Sequence, residues 1–346
     1  MRIAVTGASG FLGQNLLKTI SNLYDWAVVA TDLRHSSVID DYCDSFVQAD
    51  INDAERLKEV FDGVDAVVHC ASAAPSHAKS VIDRVNVQGA QAVASAIRST
   101  GVGRVVHISS TAVYGIPDIC PMTEDTPLQP FHDPYNISKI RAEEIFDMLR
   151  HDGTTVTILR PRTFTGPGRL GTFAILADWA SSGKNFPVLG SGRNRYQFLD
   201  IDDLCSAVVL AINADVSKAN TVFNIGADEY GTIADDYQAV LDRAGHGKRI
   251  IRLPAKPIEL ILQMLELTRL SPLYGRLYKK ISMDYFVSNQ KAKENLGYSP
   301  QFSNAESLVR MYDWYVANKA GLGTASGKNN NEIWHQGLLK VGKSVF

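Results

Sequence analysis

Cysteine is scarce and scattered in this chain of 346 residues: Cys43, Cys70, Cys120 and Cys205, with no CxxC pair and no histidine at ligand spacing. That excludes a disulfide framework and a metal site, and fits reduced thiols. Long apolar runs are missing too. The most apolar later stretch, PIELILQMLELTRL at 257–270, carries Glu259, Glu266 and Arg269 and is too short to span a bilayer. Neither sign of charge dominates. With 35 Lys and Arg against 37 Asp and Glu the net charge is −2, so nothing electrostatic draws the chain to nucleic acid or an anionic membrane. Internal repeats are absent, and the strand-like RIAVTG begins at residue 2 with no signal-peptide pattern before it. A soluble, cytoplasmic protein is expected.

What is present is a rhythm. Hydrophobic residues make up 45% and charged residues 21%, enough for a sizeable core. Short β-branched runs at 2–7, 27–32, 45–51, 66–71, 104–110 and 156–161 alternate with helical periods near 11–21, 53–61, 85–99 and 133–146. Continuous apolar strands separated by helices predict a parallel sheet buried on both faces, a doubly wound α/β fold of Rossmann type. The rhythm breaks at the Gly- and Thr-rich TFTGPGRLG, 163–171. The expected division is a dinucleotide-binding domain at 1–165, to which segments near 196–226 return, and a smaller mixed α/β substrate lobe at 166–319. In that lobe helices are expected near 172–182, 202–213, 232–243, 255–268 and 303–318. Residues 320–346 read as a flexible tail.

TGASGFLG, 6–13, sets Gly7, Gly10 and Gly13 between the first strand and the first helix, with Phe11 and Leu12 opening that helix. Glycines in this context permit a tight turn and let backbone N–H groups approach a pyrophosphate at a helix N-terminus. Asp32 ends the second strand about 20 residues on, where a carboxylate accepts from ribose hydroxyls and repels a 2′-phosphate. NAD is therefore expected, with nearby Arg34 as the group that would accommodate NADP. Asp50 and Ile51 after the third strand are expected beside the adenine, and Ala71, Ser72 and Ala73 after the fourth where the chain passes the cofactor.

DPYNISK places Tyr135 and Lys139 one helical turn apart on one face. With the glycine loop, Asp32, HCASA at 69–73 and SSTAVYG at 109–115, this order and spacing resembles the extended short-chain dehydrogenase/reductases. LRPRTFTGPG, RNRYQFLDIDDLCSAV, FNIG and LGYSP narrow the resemblance to the NAD-dependent epimerase/dehydratase branch, over residues 1 to about 318. The resemblance implies a catalytic set of Ser110, Tyr135 and Lys139, with Thr111 as the alternative to Ser110. A free phenol has a pKa near 10. Lowering it by about three units takes roughly 4 kcal/mol, which Lys139 and a positive nicotinamide ring are expected to supply. Tyr135 would then exchange the substrate's hydroxyl proton while Ser110 holds its oxygen, and Lys139 would also hold the nicotinamide ribose.

The substrate end departs from the family pattern. Relatives acting on nucleotide sugars often have RYFN where this chain has RPRT, so Thr163 replaces an asparagine near the diphosphate. Arg195 matches a family arginine that contacts the diphosphate. The second such arginine is missing or replaced by Lys279 or Lys280 in KKISMD. Thr111 and Ala112 stand where dehydratases carry an Asp-Glu pair, which disfavours 4,6-dehydration. Cys120 and His132 are the nearby groups for any additional base. The expected activity is C4 epimerisation of a nucleotide sugar through a 4-keto intermediate. The alternatives are a dehydrogenase or reductase of a sugar, sterol-like or other carbonyl substrate, and a non-catalytic dinucleotide sensor. The resemblance also implies a homodimer.

Overall fold

The computed structural model describes residues 1–130, 133–254, 283–322 and Lys343. Seven parallel strands form the central sheet: β1 (Arg2–Thr6), β2 (Ala27–Asp32), β3 (Ser45–Gln48), β4 (Ala66–His69), β5 (Arg104–Ile108), β6 (Thr155–Pro161) and β10 (Val222–Ile225). Their order across the sheet is β10-β6-β5-β4-β1-β2-β3. Two small parallel pairs lie outside it: β7 (Thr163–Thr165) with β9 (Phe198–Asp200), and β8 (Phe186–Leu189) with β11 (Ile250–Leu253).

Strand alternation divides the core into two layers. Ile3 and Val5 face α1 (Phe11–Leu23) and α7 (Ile201–Asn213), whereas Ala4 faces α2 (Ala54–Phe61), α4 (Gly89–Thr100) and α5 (Pro134–Asp147). The short helices are α3 (Lys79–Ile82) and α8 (Val216–Ala219). A third apolar cluster unites α6 (Phe173–Ser181), α9 (Ile233–Ala244) and the helix Asn304–Asn318 into the smaller lobe.

The chain crosses between the two bodies more than once. After β6 it enters the lobe, then returns through α7, which packs on α1, and through β10, which pairs in parallel with β6. The helix Gln290–Leu296 and Tyr298 add to that same layer. TVFNIG thus supplies one of the sheet's two edge strands, β3 being the other. The helix expected over 255–268, Lys279, Lys280 and His132 all lie outside the described residues. Of the tail, only 320–322 and Lys343 are described. The Lys343 ammonium donates to Asp178 Oδ2 at 2.5 Å and to Ser182 Oγ at 2.9 Å on α6 and its C-terminal end. Among the described residues no helix is long and apolar enough to cross a membrane, and no cluster of metal-ligating side chains occurs.

Candidate active site

The C-terminal ends of β1, β2, β4, β5 and β6 open onto one cavity of about 680 Å³. At its floor the first strand turns into α1. Gly7 has φ +70°, and a methyl group there would lie 2.6 Å from the Ala71 nitrogen. A methyl on Gly13 would lie 2.3 Å from the Gly7 carbonyl oxygen. Only glycine lets strand, turn and helix approach this closely. The first-turn N–H groups of α1 have no carbonyl behind them, and Gly10, Phe11, Leu12 and Gly13 line the cavity.

Asp32 is fixed by its neighbours. Its Oδ2 accepts from Ser9 N at 3.0 Å and its Oδ1 from Arg34 N at 3.3 Å. Burial pushes this carboxyl above its usual range, opposed by those N–H groups. Asp32 and Arg34 line the cavity, and Ser110, at the end of β5, stands three strand spacings away, about 14 Å. That span suits an extended dinucleotide, and the glycine cradle suits its pyrophosphate; the residues present fit NAD.

At the far strands, α5 begins with Asp133, whose Oδ1 accepts from Tyr135 N at 2.8 Å, followed by Pro134 in the first turn. Tyr135 and Lys139 therefore project together into the cavity wall beside Ser110. The Ser110 hydroxyl stands near enough to the Tyr135 phenol to favour its ionised form and accepts from Ala112 N at 3.1 Å. Thr111 is differently engaged. Its hydroxyl donates to the Pro161 carbonyl at 3.3 Å and accepts from Arg162, which leaves Ser110 as the hydroxyl beside the phenol.

The expected tuning of Tyr135 by Lys139 needs correction. Lys139 Nζ is 5.9 Å from the ring centroid and donates to the Ile108 carbonyl at 3.0 Å. Burial raises the phenol above its ordinary value; the Ser110 hydroxyl and the Arg169 charge oppose this. In the protein alone, then, the phenol stays protonated, and the cation favouring phenolate is Arg169, stacked over Phe11 and Phe164 at 5.3 and 5.1 Å. Burial draws the Lys139 ammonium down to about 8, with Glu143 and Cys70 holding it up.

Other expected positions separate. Ser72, Ala73 and Thr163 line the cavity. Ala71 does not; its backbone instead abuts Gly7. Asp50 is ion-paired with Arg84 and Ile51 packs on Gly89, both away from the cavity lining. Arg195 is exposed, its guanidinium 4.7 Å over Tyr230 and 5.0 Å over Phe286, also outside the lining. Cys120 Sγ points to the Asp284 carbonyl at 3.5 Å and is likewise not in the wall.

Residues 3–226 match the NAD dependent epimerase/dehydratase family. The chain belongs to that family. As a member it is an NAD-dependent enzyme. An uncharacterised protein of Sinorhizobium fredii is 36% identical, over 97% of this chain and 84% of its own. A UDP-glucose 4-epimerase of Mycolicibacterium smegmatis is 28% identical over 91% and 98%. In fold, the chain is similar to a dTDP-glucose 4,6-dehydratase of Streptomyces venezuelae solved with NAD bound. The TM-score there is 0.74 and the identity 26%, over 93% of this chain and 98% of that one.

Against these family features, several residues had escaped the sequence reading. Asn86 is buried, accepts from Ala73 N at 2.7 Å and donates to Ser138 Oγ at 2.9 Å, tying the loop after β4 to α5. Arg162, Arg169 and Tyr285 also line the cavity. The first stands in LRPRTFTGPG and the second in TFTGPGRLG, where their cationic side chains were the available signal.

Proposed function

We propose that this enzyme is a C4 epimerase of a nucleotide-linked hexose. The observation that carries the reading is the convergence of Ser110, Tyr135 and Lys139 in the wall of the same cavity as the glycine loop and Asp32. The backbone of Gly7–Gly13 and the Asp32 carboxylate would hold NAD, which when bound accepts and returns a hydride. Ser110 would hold the C4 oxygen of the sugar. Tyr135 would take the hydroxyl proton as the alcohol becomes a ketone and give it back as the alcohol re-forms. Lys139 would reach the nicotinamide ribose, and Arg169 is the cation whose charge favours the phenolate. Inversion needs the 4-keto sugar to present its other face before the hydride returns.

Dehydration would require a further acid and base beside the serine. Residues 111 and 112 are Thr and Ala, and among the described residues the one carboxylate lining this part of the cavity, Asp133, caps α5. This supports epimerisation over 4,6-dehydration. A second reading, a dehydrogenase of a sugar or other alcohol, is favoured by Arg195 lying outside the cavity, away from any diphosphate there.

Incubation with UDP-, GDP-, dTDP- and CDP-hexoses without added reductant, followed by NMR, tests the proposal. Inversion at C4 with no net change in cofactor absorbance is expected. Turnover of a free alcohol that consumes cofactor, with every nucleotide sugar inert, would replace it with the dehydrogenase.

A further inference from the structure

Two arginines follow each other closely on β6 and just beyond it, and both are buried: Arg160 at 5% and Arg162 at 2% exposure. Arg160 is neutralised by Glu143. Arg162 is not. Among the described residues no carboxylate pairs with it.

Its guanidinium is held by neutral groups. Nε donates to the Gln197 carbonyl at 3.0 Å, Nη2 to the Tyr285 carbonyl at 2.8 Å, and Nη1 to Thr111 Oγ1 at 3.3 Å. The rings of Tyr285 and Tyr196 lie 4.3 and 4.7 Å from it. Carbonyl dipoles and ring faces soften a buried charge but do not cancel it. Of five N–H donors three are used, and the residue lines the cavity. A desolvated cation with two N–H donors unused among the described residues, in a residue that lines a cavity, is complementary to an anion that arrives there.

The location narrows which anion. Thr111, which Arg162 touches, directly follows Ser110, which stands beside Tyr135. Of the other cavity arginines, Arg34 adjoins Asp32, and Arg169 stacks on Phe11 at the start of α1, from where its charge also reaches Tyr135. The group that Arg162 meets is therefore on the portion of substrate held at Ser110 and Tyr135.

We propose that Arg162 is a specificity residue that reads a carboxylate on the reacting sugar, making the substrate an acidic hexose. This rests on Ser110 and Tyr135 being the reacting centre. The fork of the guanidinium matches a carboxylate in a way that a lysine does not.

The test measures binding to the NAD-loaded full chain for two matched pairs: UDP-glucuronate with UDP-glucose, and glucuronate with glucose. Wild type, Arg162→Gln and Arg162→Lys are compared, with circular dichroism and NAD retention as checks of fold. The acidic member should bind at least tenfold tighter to wild type. The preference should vanish in Arg162→Gln and fall part-way in Arg162→Lys. Equal binding of both members in both pairs, or a preference that survives Arg162→Gln, would overturn the proposal. Preference in the free-sugar pair with neither nucleotide bound would leave Arg162 standing and sink the nucleotide-sugar reading. Should Arg162→Gln not fold, the wild-type pairs and Arg162→Lys decide by the same criteria.

Discussion

Glu143, one helical turn beyond Lys139, grips Arg160 through three contacts, Nε to Oε1 at 2.9 Å and to Oε2 at 3.2 Å, and Nη2 to Oε2 at 2.6 Å. The same carboxylate accepts from Ser109 Oγ. It thereby ties α5, which carries Tyr135 and Lys139, to the segment that carries Ser110. Burial acts against the Arg160 charge, yet Glu143 and Tyr114 hold it above its usual range.

Removing one partner leaves the other buried and unpaired. Glu143→Gln should destabilise the fold by about 3–5 kcal/mol. The double variant Glu143→Gln/Arg160→Met should cost clearly less than the sum of the single changes. Urea unfolding of all four proteins measures this; strict additivity would show that the pair is energetically idle.

Tyr135→Phe keeps the ring and deletes the hydroxyl that stands beside Ser110 in the cavity wall. Turnover should fall on the order of 10²–10⁴-fold while NAD binding persists. Near-normal turnover would remove Tyr135 from the proton-transfer role.

Asp32→Ala removes the carboxylate poised for a ribose diol. NAD affinity should drop more than NADP affinity, because the same change lifts repulsion of a 2′-phosphate. Calorimetric titration with both dinucleotides decides. Equal losses would shift the discrimination to Arg34.

Gly13→Ala places a methyl 2.3 Å from the Gly7 carbonyl oxygen, a backbone atom that cannot swing aside. The loop must open, so NAD binding should weaken at least tenfold, with a stability loss of about 1–3 kcal/mol from overpacking. Unchanged affinity would show the cradle to be looser than its contacts indicate.

Acid should unfold the protein partly through two imidazoles beneath the site. His69 accepts or donates with Thr6 Oγ1 at 2.8 Å, and His107 stacks on Phe146 with neither nitrogen partnered among the described residues. Burial, with the Lys139 charge, draws His69 down to about 3 and His107 well below its ordinary value. A depressed histidine contributes stability that is complete above the unfolded value near 6.5 and is lost as pH falls toward the folded one. Each pH unit inside that window costs about 1.4 kcal/mol per group. Unfolding free energies of wild type and His107→Phe between pH 7.5 and 4 should show a shallower acid decline in the variant. Parallel curves would contradict this. Because both proteins share Asp203 and Asp236, whose burial-raised carboxyls titrate at about 6, the difference isolates the histidine.

The sheet was legible because its strands are β-branched and buried on both faces, as in AVVH and RVVHI, a pattern that a parallel sheet covered by helices requires; the order of its strands was not read from the sequence. The glycine loop, Asp32 and the Tyr135–Lys139 spacing were legible because each is local. Arg195 was not. Its exposed position depends on Tyr230 and Phe286, distant in sequence, whose rings take its guanidinium. Asn86 hid for a similar reason. Its partners Ala73 and Ser138 lie 13 and 52 residues away, and no helical period marks a buried amide. The direction of the Lys139 ammonium, toward the Ile108 carbonyl, likewise depends on a strand end that spacing on one helix cannot specify.

The return of β10 to the sheet has a consequence for engineering. Because β10 hydrogen-bonds β6 and α7 covers α1, a fragment ending near residue 165 would have an unsaturated sheet margin and a bare greasy helix. It would be prone to pair with other copies of itself. The substrate lobe is therefore not a cassette. Transplanting it between relatives requires carrying the cofactor half's own edge and cover along, and recombination points belong at the surface crossings, not at the domain border.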